Sequence, residues 1–348
     1  MDRGRLYYLD VMRVVAILAV IMVHVSAQNL YDAKICSNEW IIFNAYDSLV
    51  RWCVPLFVMI SGSLFLNRNI EIYKIYRKYL LRLVIAFIFW SIIYALYAYF
   101  KDGLSLTNFV LEIISGHYHM WYIFMICGLY ILTPILRKIA ESESVTKYYI
   151  LLAIIFTFII NMIINQVIPI TRFSNMKIIS IFIKHYNDMH LDFLFGFTCY
   201  YLLGYYLSKK DISSKNRILI YIISIICFIG TILLTIIASS RLDYLYLGFY
   251  NYLNINTLLE SVGVFIFIKY LFQNKKQNRF ITYMAKHSFG IYLVHILVIE
   301  ILNDIFEINT LIIHPIIAVP FLVLTVFIIS LFISIVIGKI PILKKYVV

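Results

Sequence analysis

An all-α polytopic membrane protein is the fold class that this sequence predicts, and three observations support the prediction. Of the 348 residues, 63% are hydrophobic and 14% are charged, and the mean hydropathy is +0.89. Apolar runs recur from end to end, and each is long enough, at ~1.5 Å per residue, to cross roughly 30 Å of hydrocarbon as a helix. Basic residues alternate between scarce and abundant from loop to loop. We therefore expect about ten transmembrane helices, with both termini in the cytosol.

The predicted spans follow from where the apolar runs begin and end. The fourth and the ninth are interrupted or bordered by polar residues, yet each is long enough to cross. The first begins with charged residues and lacks a small-residue cleavage pattern, so we expect an anchor and not a cleaved signal peptide. Because there is no linker or convincing repeat, we expect one integral-membrane domain over 1–348. In chain order the spans are 6–27, 41–66, 80–100, 118–136, 148–168, 191–208, 217–238, 252–271, 286–303 and 314–338.

The distribution of charge predicts the orientation of these spans. The formal net charge is +12, with 30 Lys and Arg residues against 18 Asp and Glu residues. With a cytosolic N-terminus, the inner segments hold 22 of the basic residues and the outer segments hold six, which is the positive-inside pattern. The remaining two, Arg13 and Arg51, lie within predicted helices. The basic excess therefore indicates membrane topology and no nucleic-acid partner.

The first span carries three ionisable residues, Asp10, Arg13 and His24. The spacing of Arg13 and His24 returns to nearly the same side of a helix about 16 Å further along its axis, and Asp10 lies one turn before Arg13. Ionisable groups in hydrocarbon cost several kcal/mol and normally face a protein interior or a wet cavity. We therefore expect a polar channel beside this helix. The alternatives are an interfacial His24 and an Arg13 that extends to the cytosolic surface.

The second span contains a further pair, Asp47 and Arg51, at i, i+4 spacing. Arg51 is therefore either neutralised locally or faces the same wet interior. Ser61 and Gly62, near the end of the span, are small and permit close helix contact. A dense basic cluster follows, which is partly a topology signal and partly a plausible site for a phosphorylated ligand. Its members are Arg68, Lys74, Arg77, Lys78 and Arg82.

Histidines and aromatic residues begin the fourth span, where His117, His119, Trp121 and Tyr122 occur together. They suit either an aromatic membrane boundary or a platform for a polyhydroxylated acceptor such as a sugar. No carboxylate or cysteine stands at a ligand spacing from these histidines, so we expect no metal site. Later spans carry three more ionisable residues whose partners the sequence does not identify, His295, Glu260 and Glu300.

Several motifs of other protein classes are absent. The five cysteines contain no C-x-x-C pair, so neither a disulfide framework nor a cysteine metal site is indicated. The sequence lacks G-x-x-x-x-G-K-[ST], G-x-S-x-G and H-E-x-x-H, which argues against an ATP-driven pump, a serine hydrolase and a membrane zinc protease. The chemistry that remains centres on histidine and arginine.

Four motifs follow one another over 8–295. They are Y-L-D with Arg13 and, after ten intervening residues, His24; V-P-L-F-V-M-I-S-G-S-L-F at 54–65; H-x-W at 119–121; and S-x-G-I-Y-x-x-H at 288–295. Together they resemble the motifs of the membrane acyltransferase-3 family. The residues of the second and third motifs most resemble the branch that contains the enterobacterial common antigen O-acetyltransferase.

The resemblance implies a reaction and a location. Members of this family move an acyl group, usually acetyl, from cytosolic acyl-CoA to a hydroxyl of a cell-envelope glycan, in a bacterial inner or plasma membrane. His24 then corresponds to the catalytic histidine and Arg13 to its partner in the donor channel. Many relatives have an acidic pair after the H-x-W segment, where this chain has Ile126 and Cys127. Any role that this pair has in the relatives is then either absent here or filled by another group, such as Glu112 or Glu260.

The expected site therefore has three parts and contains neither a bound cofactor nor a metal. We expect acetyl-CoA as the co-substrate, a glycan or glycolipid as the acceptor, and the lipid bilayer as a further partner. The sequence is also compatible with a homo-oligomer. A transporter of lipid-linked sugars and a non-catalytic partner of a polysaccharide synthase remain as alternatives. The catalytic residues are His24, Arg13 and Asp10; acyl-CoA binding involves Arg51, Ser61, Arg68, Arg77, Lys78 and Arg82; acceptor binding involves His119, Trp121, Tyr122, His295 and Glu260.

Overall fold

The computed structural model describes residues 6–171 and 176–347, and all regular secondary structure in this part is helical. This confirms the predicted all-α fold. Three π-helical stretches, Ile75–Leu80, Ile154–Ile160 and Ile163–Val167, extend neighbouring α-helices. The α-helices are α1 (Tyr7–Leu30), α2 (Asn38–Ser48), α3 (Cys53–Phe65), α4 (Ile72–Lys74), α5 (Leu81–Asp102), α6 (Leu106–Ser115), α7 (Trp121–Glu141), α8 (Glu143–Ala153), α9 (Lys177–Asp188), α10 (Asp192–Lys209), α11 (Ser214–Leu242), α12 (Ile255–Phe272), α13 (Arg279–Asp304), α14 (Pro315–Ile337) and α15 (Pro341–Tyr346).

Nine helical segments of the described residues are long and apolar enough to cross a membrane. Each coincides with one of the predicted spans. The remaining predicted span, 191–208, coincides with α10, which is not among the nine candidates. The nine are Tyr7–Leu30, Asn38–Phe65, Ile72–Asp102, Leu106–Glu141, Glu143–Ile170, Ser214–Leu242, Gly248–Phe272, Arg279–Asp304 and Pro315–Ile337.

α10 nevertheless extends over the depth of a spanning helix. Near its start, the ring of Phe197 packs 5.9 Å from that of Trp121, which is the first residue of α7. Just past its end, Lys210 pairs with Glu143 at 2.6 Å, beyond the last residue of α7. Because α7 belongs to a candidate span, α10 covers the same depth.

α1 and α13 run in the same direction. Thr282 donates a hydrogen bond to Asp10 (3.2 Å) near the start of both helices, and the rings of His24 and His295 lie 5.2 Å apart near the other end. In a chain that crosses the membrane at every span, parallel helices have an odd number of crossings between them. When α10 is counted, α1 and α13 are the first and ninth of ten crossings, which meets this requirement; nine crossings would not.

α1 lies at the centre of the bundle, with α2, α3, α12, α13 and α14 packed against it. Most of its apolar window, 72%, is buried inside the protein. α11 differs, because it leaves much of its apolar surface exposed, as expected of a helix that faces lipid. The ionisable side chains of α1 therefore face protein, as the sequence predicts.

α3 and α10 approach so closely that two glycines are required. A Cβ atom on Gly62 would overlap the backbone carbonyl of Tyr201, and one on Gly204 would overlap the backbone of Met59. Small residues at such contacts allow the two backbones to pack directly against each other. This confirms the close helix contact predicted at Ser61 and Gly62, and it holds α3 as one wall of the cavity described next.

Candidate functional site

A cavity of about 390 Å³ lies between α1, α3, α5, α7 and α13. It lies beside α1, where the sequence predicts a polar channel. Seven of the predicted site residues line it, Arg13, His24, Ser61, Arg82, His119, Trp121 and Tyr122.

The cavity has two chemically different ends. Arg13 and His24 both line it and are separated by roughly 16 Å along α1. The Arg13 end also contains Arg82 and Lys286, so it is cationic. The His24 end contains His119 and aromatic side chains. This end is polar, and it carries no charge when the imidazoles are neutral.

Asp10 orients Arg13. The carboxylate accepts a hydrogen bond from Arg13 Nη1 at 3.2 Å and a second from Thr282 at 3.2 Å. Asp10 is buried, 1% exposed, whereas 26% of the Arg13 side chain is exposed, and Arg13 lines the cavity. A buried carboxylate behind a cavity-lining guanidinium offsets its desolvation and restricts its direction. This geometry gives Asp10, which the sequence placed among the catalytic residues, a supporting position behind Arg13.

Around His24 lie two groups from other helices. The Tyr118 hydroxyl is 3.5 Å from His24 Nδ1, and the His295 ring is 5.2 Å away. His295 is fully buried, and its Nδ1 lies 2.6 Å from the backbone carbonyl of Tyr292. Because a carbonyl only accepts, Nδ1 of His295 carries the proton, and a neutral His295 ring has its lone pair on Nε2.

A second imidazole chain reaches the same end of the cavity. His117 Nε2 lies 3.1 Å from a carboxylate oxygen of Glu300, and His117 Nδ1 lies 3.0 Å from His119 Nδ1. Glu300 therefore has an identified partner, which the sequence left open. His119 is buried, 2% exposed, and lines the cavity.

Tyr94 holds this chain in place. Its ring stacks on His117 with centroids 4.3 Å apart, and its hydroxyl donates to the Leu293 carbonyl (3.0 Å). The same hydroxyl accepts a hydrogen bond from the Leu297 amide (3.0 Å). The hydroxyl is thus inserted into one i→i−4 step of α13, in the turn that contains His295.

An aromatic wall lies beside the histidines. Trp121 is 40% exposed, stacks on Tyr252 at 5.7 Å with an interplanar angle of 25°, and also packs against Phe197. The predicted Trp121 platform is therefore an aromatic surface that borders the cavity. Sugar rings pack well on such faces because their C–H groups meet the π-surface.

Some predicted donor-site residues do not line this cavity. Arg51 lies in the break between α2 and α3, forms an ion pair with Asp47 and packs 4.1 Å over the Tyr250 ring. The structure therefore supports the local neutralisation of Arg51 that its spacing allowed. Arg77 and Lys78 are exposed and lie beside the rings of Tyr73 and Tyr79.

Two predicted acceptor-site residues also lie off the cavity lining. His295 is behind His24, as described above. Glu260 is buried between α11 and α12, where it accepts a hydrogen bond from Thr231 at 2.8 Å. Glu112, the other acid considered for the missing pair, is exposed on α6. Near the histidines, the carboxylate that the structure brings in is Glu300.

A second cavity, of about 550 Å³, follows the first along α3 and α7. Leu64 and Phe65 line the first cavity, and Leu66 through Arg68 line the second. Arg137 lies in it, with Nη1 near Asn69 Oδ1 (3.4 Å) and the Ile70 carbonyl (3.3 Å). Arg68, a member of the predicted basic cluster, therefore lines a cavity together with Arg137, which the sequence had not singled out.

Most of the aromatic side chains that line the cavity were not predicted from the sequence. These residues lie in ordinary apolar runs. The one signal that could have indicated them is a position on the same helix face as a predicted site residue. Among those lining the cavity are Phe57, Tyr79, Tyr130, Tyr252, Phe289 and Tyr292.

Within the described part of the chain, no group of three or more His, Cys, Asp or Glu side chains has the arrangement of a metal site. Comparison with known protein families gives one finding: the profile of the acyltransferase-3 family, described as an acyltransferase domain, matches residues 6–338. No curated protein and no solved structure shows a significant match to the chain.

Proposed function

The chain belongs to the acyltransferase-3 family, and on that premise we propose that it transfers an acyl group, most simply acetyl, from acyl-CoA to a hydroxyl of a cell-envelope glycan or glycolipid. In this reaction the hydroxyl oxygen bonds to the acyl carbon and the carbon–sulfur bond breaks. The hydroxyl proton ends on the thiolate, so the products are an ester and free CoA.

One observation carries the proposal: a single cavity has Arg13 at one end and His24 at the other. An acyl-CoA donor has an anionic nucleotide and an uncharged pantetheine arm that ends in the thioester. Arginine and lysine at one end suit the anionic part, and an imidazole at the other suits proton transfer from a hydroxyl. The arm would bridge the two ends along α1.

The second cavity supports a location for the nucleotide. It lies beyond Phe65 on the Arg13 side and contains Arg68, Arg137 and Lys138. We place the phosphates there and the cytosol on that side, in agreement with the basic loops. Acetyl is our choice of acyl group because it is the group that the family resemblance implies.

The acceptor would approach from the opposite side, against Trp121 and Tyr252. Their stacked rings offer a flat apolar surface beside His24 and His119, which suits a sugar with one hydroxyl directed at the imidazoles. An envelope glycan of a bacterial plasma membrane, modified as in the enterobacterial common antigen O-acetyltransferase branch, fits this arrangement.

His24 takes one of two roles in the proposal. As a general base it accepts the hydroxyl proton while the oxygen attacks the thioester; as a nucleophile it first carries the acyl group and then passes it on. Base catalysis of this kind contributes ~10²–10⁴ to a rate. Both routes require His24 at the thioester end of the donor.

The test is release of free CoA from acetyl-CoA by the purified protein in nanodiscs, with a mixture of purified envelope polysaccharides as acceptor. Wild type should release CoA, and His24→Ala should release at least 10²-fold less. The matched control is His185→Ala, which removes an exposed histidine on α9. Equal release by His24→Ala and wild type would exclude the mechanism, and absence of acetyl-CoA binding to wild type would favour a transporter instead.

A further inference from the structure

We propose that His119 is the base that deprotonates the acceptor hydroxyl, while His24 carries the acyl group. His117 and Glu300 are positioning residues for His119. This rests on the proposed acyl transfer and divides its two tasks between two imidazoles. The observation behind it is the hydrogen-bonded series from Glu300 through His117 to His119, which ends at the cavity.

The chemistry of the partners fixes the protons in this series. The Glu300 carboxylate only accepts, so His117 Nε2 carries a proton. In a neutral His117 ring, Nδ1 then has the lone pair and must accept from His119 Nδ1, 3.0 Å away. His119 Nε2 is left as an unprotonated nitrogen, which is the form a general base needs.

No described group satisfies this nitrogen. His119 Nε2 is buried and has no hydrogen-bond partner among the described residues, although His119 lines the cavity. A buried polar atom without a partner lowers stability, so its retention indicates that a ligand completes it. A hydroxyl donor is the complementary ligand for an imidazole lone pair.

The surroundings preserve this arrangement. The Tyr292 hydroxyl donates to the His119 backbone carbonyl at 2.7 Å, which anchors the residue itself. Tyr94 stacks on His117 and thereby limits rotation of its ring. The titratable groups facing His119 and His117 come from α1, α5, α13 and the segment before α7, and they are His24, Tyr94, Tyr292, His295, Glu300 and Tyr118.

The step balances without any further reactant. The thioester carbon first bonds to a nitrogen of His24 as the carbon–sulfur bond breaks, and the thiolate leaves with the electron pair of that bond. The acceptor oxygen then bonds to the acyl carbon while its proton moves to His119 Nε2, and the carbon–nitrogen bond breaks with its electron pair returning to His24. His119 returns the proton to the thiolate, and the carboxylate of Glu300 stabilises the imidazolium in between through His117.

The experiment compares two nucleophiles in the CoA-release assay: the envelope polysaccharides, whose hydroxyls need a base, and hydroxylamine, which attacks without one. For His119→Gly we expect at least a 10²-fold loss of transfer to polysaccharide, a near wild-type rate with hydroxylamine, and partial recovery with added imidazole. His24→Ala should lose both reactions.

The positioning residues are tested by substitutions that keep size. Glu300→Gln and His117→Asn should lower kcat with polysaccharide about tenfold and leave the KM for acetyl-CoA unchanged, and Glu300→Asp should recover part of the rate. Glu39→Gln and His314→Asn, which change exposed residues, are the matched controls.

Equal losses of His119→Gly with both nucleophiles, or a wild-type rate for Glu300→Gln, would overturn this assignment and leave the proposed function intact. A wild-type protein that releases CoA with neither nucleophile would overturn the proposed function itself.

Discussion

Tyr94 of α5 stacks on His117, with ring centroids 4.3 Å apart and an interplanar angle of 18°. The same side chain inserts its hydroxyl between the carbonyl of Leu293 and the amide of Leu297. One residue therefore positions both the His117 ring and the turn of α13 that contains His295.

We predict that Tyr94→Phe keeps the stacking but moves the histidines. Without the hydroxyl, Leu293 and Leu297 can close their ordinary helical hydrogen bond, which shifts this turn of α13. The lost hydrogen bonds should cost about 1 kcal/mol of unfolding free energy, and kcat should fall about tenfold. Thermal unfolding measures the change in stability, and the CoA-release assay in nanodiscs measures kcat. The control is Tyr99→Phe, which changes an exposed tyrosine on the same helix. Wild-type kcat for Tyr94→Phe would contradict the positioning role.

We predict that Arg13→Ala weakens donor binding more than it slows chemistry. Arg13 lines the cavity about 16 Å of helix axis from His24, too far to touch a group reacting there. The KM for acetyl-CoA should rise about tenfold, equivalent to about 1.4 kcal/mol, with kcat little changed. Steady-state kinetics give the KM and kcat of Arg13→Ala, and Arg279→Ala, which changes an exposed arginine, is the control. A fall in kcat at unchanged KM would place Arg13 in the chemical step instead.

We predict that Arg137 binds the nucleotide part of the donor. Arg137→Gln should raise the KM for acetyl-CoA several-fold, because an arginine–phosphate contact is lost from the second cavity. It should leave the KM for acetyl-pantetheine, which has no nucleotide, unchanged. Lys276→Gln, at an exposed lysine, controls for net charge. Equal effects on both donors would show that Arg137 acts on the fold and not on the phosphates.

We predict that Gly204→Ala separates α3 from α10. The added methyl group would overlap the Met59 backbone, which cannot move as a side chain can. Overpacking of this kind costs about 1–3 kcal/mol, so the unfolding temperature should fall. Gly230→Ala has open space around its Cβ and should be neutral or stabilising. A Gly204→Ala protein as stable as Gly230→Ala would mean that the two helices are not held this closely.

Much of the architecture was predictable because it depends on local properties. Apolar run length and loop charge predicted the spans, and the structure has a helix at each of them. The span 191–208 was among the clearest in the sequence, yet α10 is not among the nine candidate helices, and its contacts with Trp121 and Glu143 establish its depth. The family resemblance carried by Arg13 and His24 is confirmed by the match over 6–338.

The stripe on α1 was determined by the sequence alone, since residues eleven apart share a helix face whatever surrounds them. Asp10, Arg13 and His24 needed no other helix to be recognised together. The partners of Glu300 and Tyr94 were decided only by tertiary structure, because Glu300 lies 183 residues from His117 and Tyr94 lies 203 residues from Leu297. Helical spacing determines which way a side chain points along its own helix. Packing between helices determines what it meets there, and no local pattern in the chain encodes that.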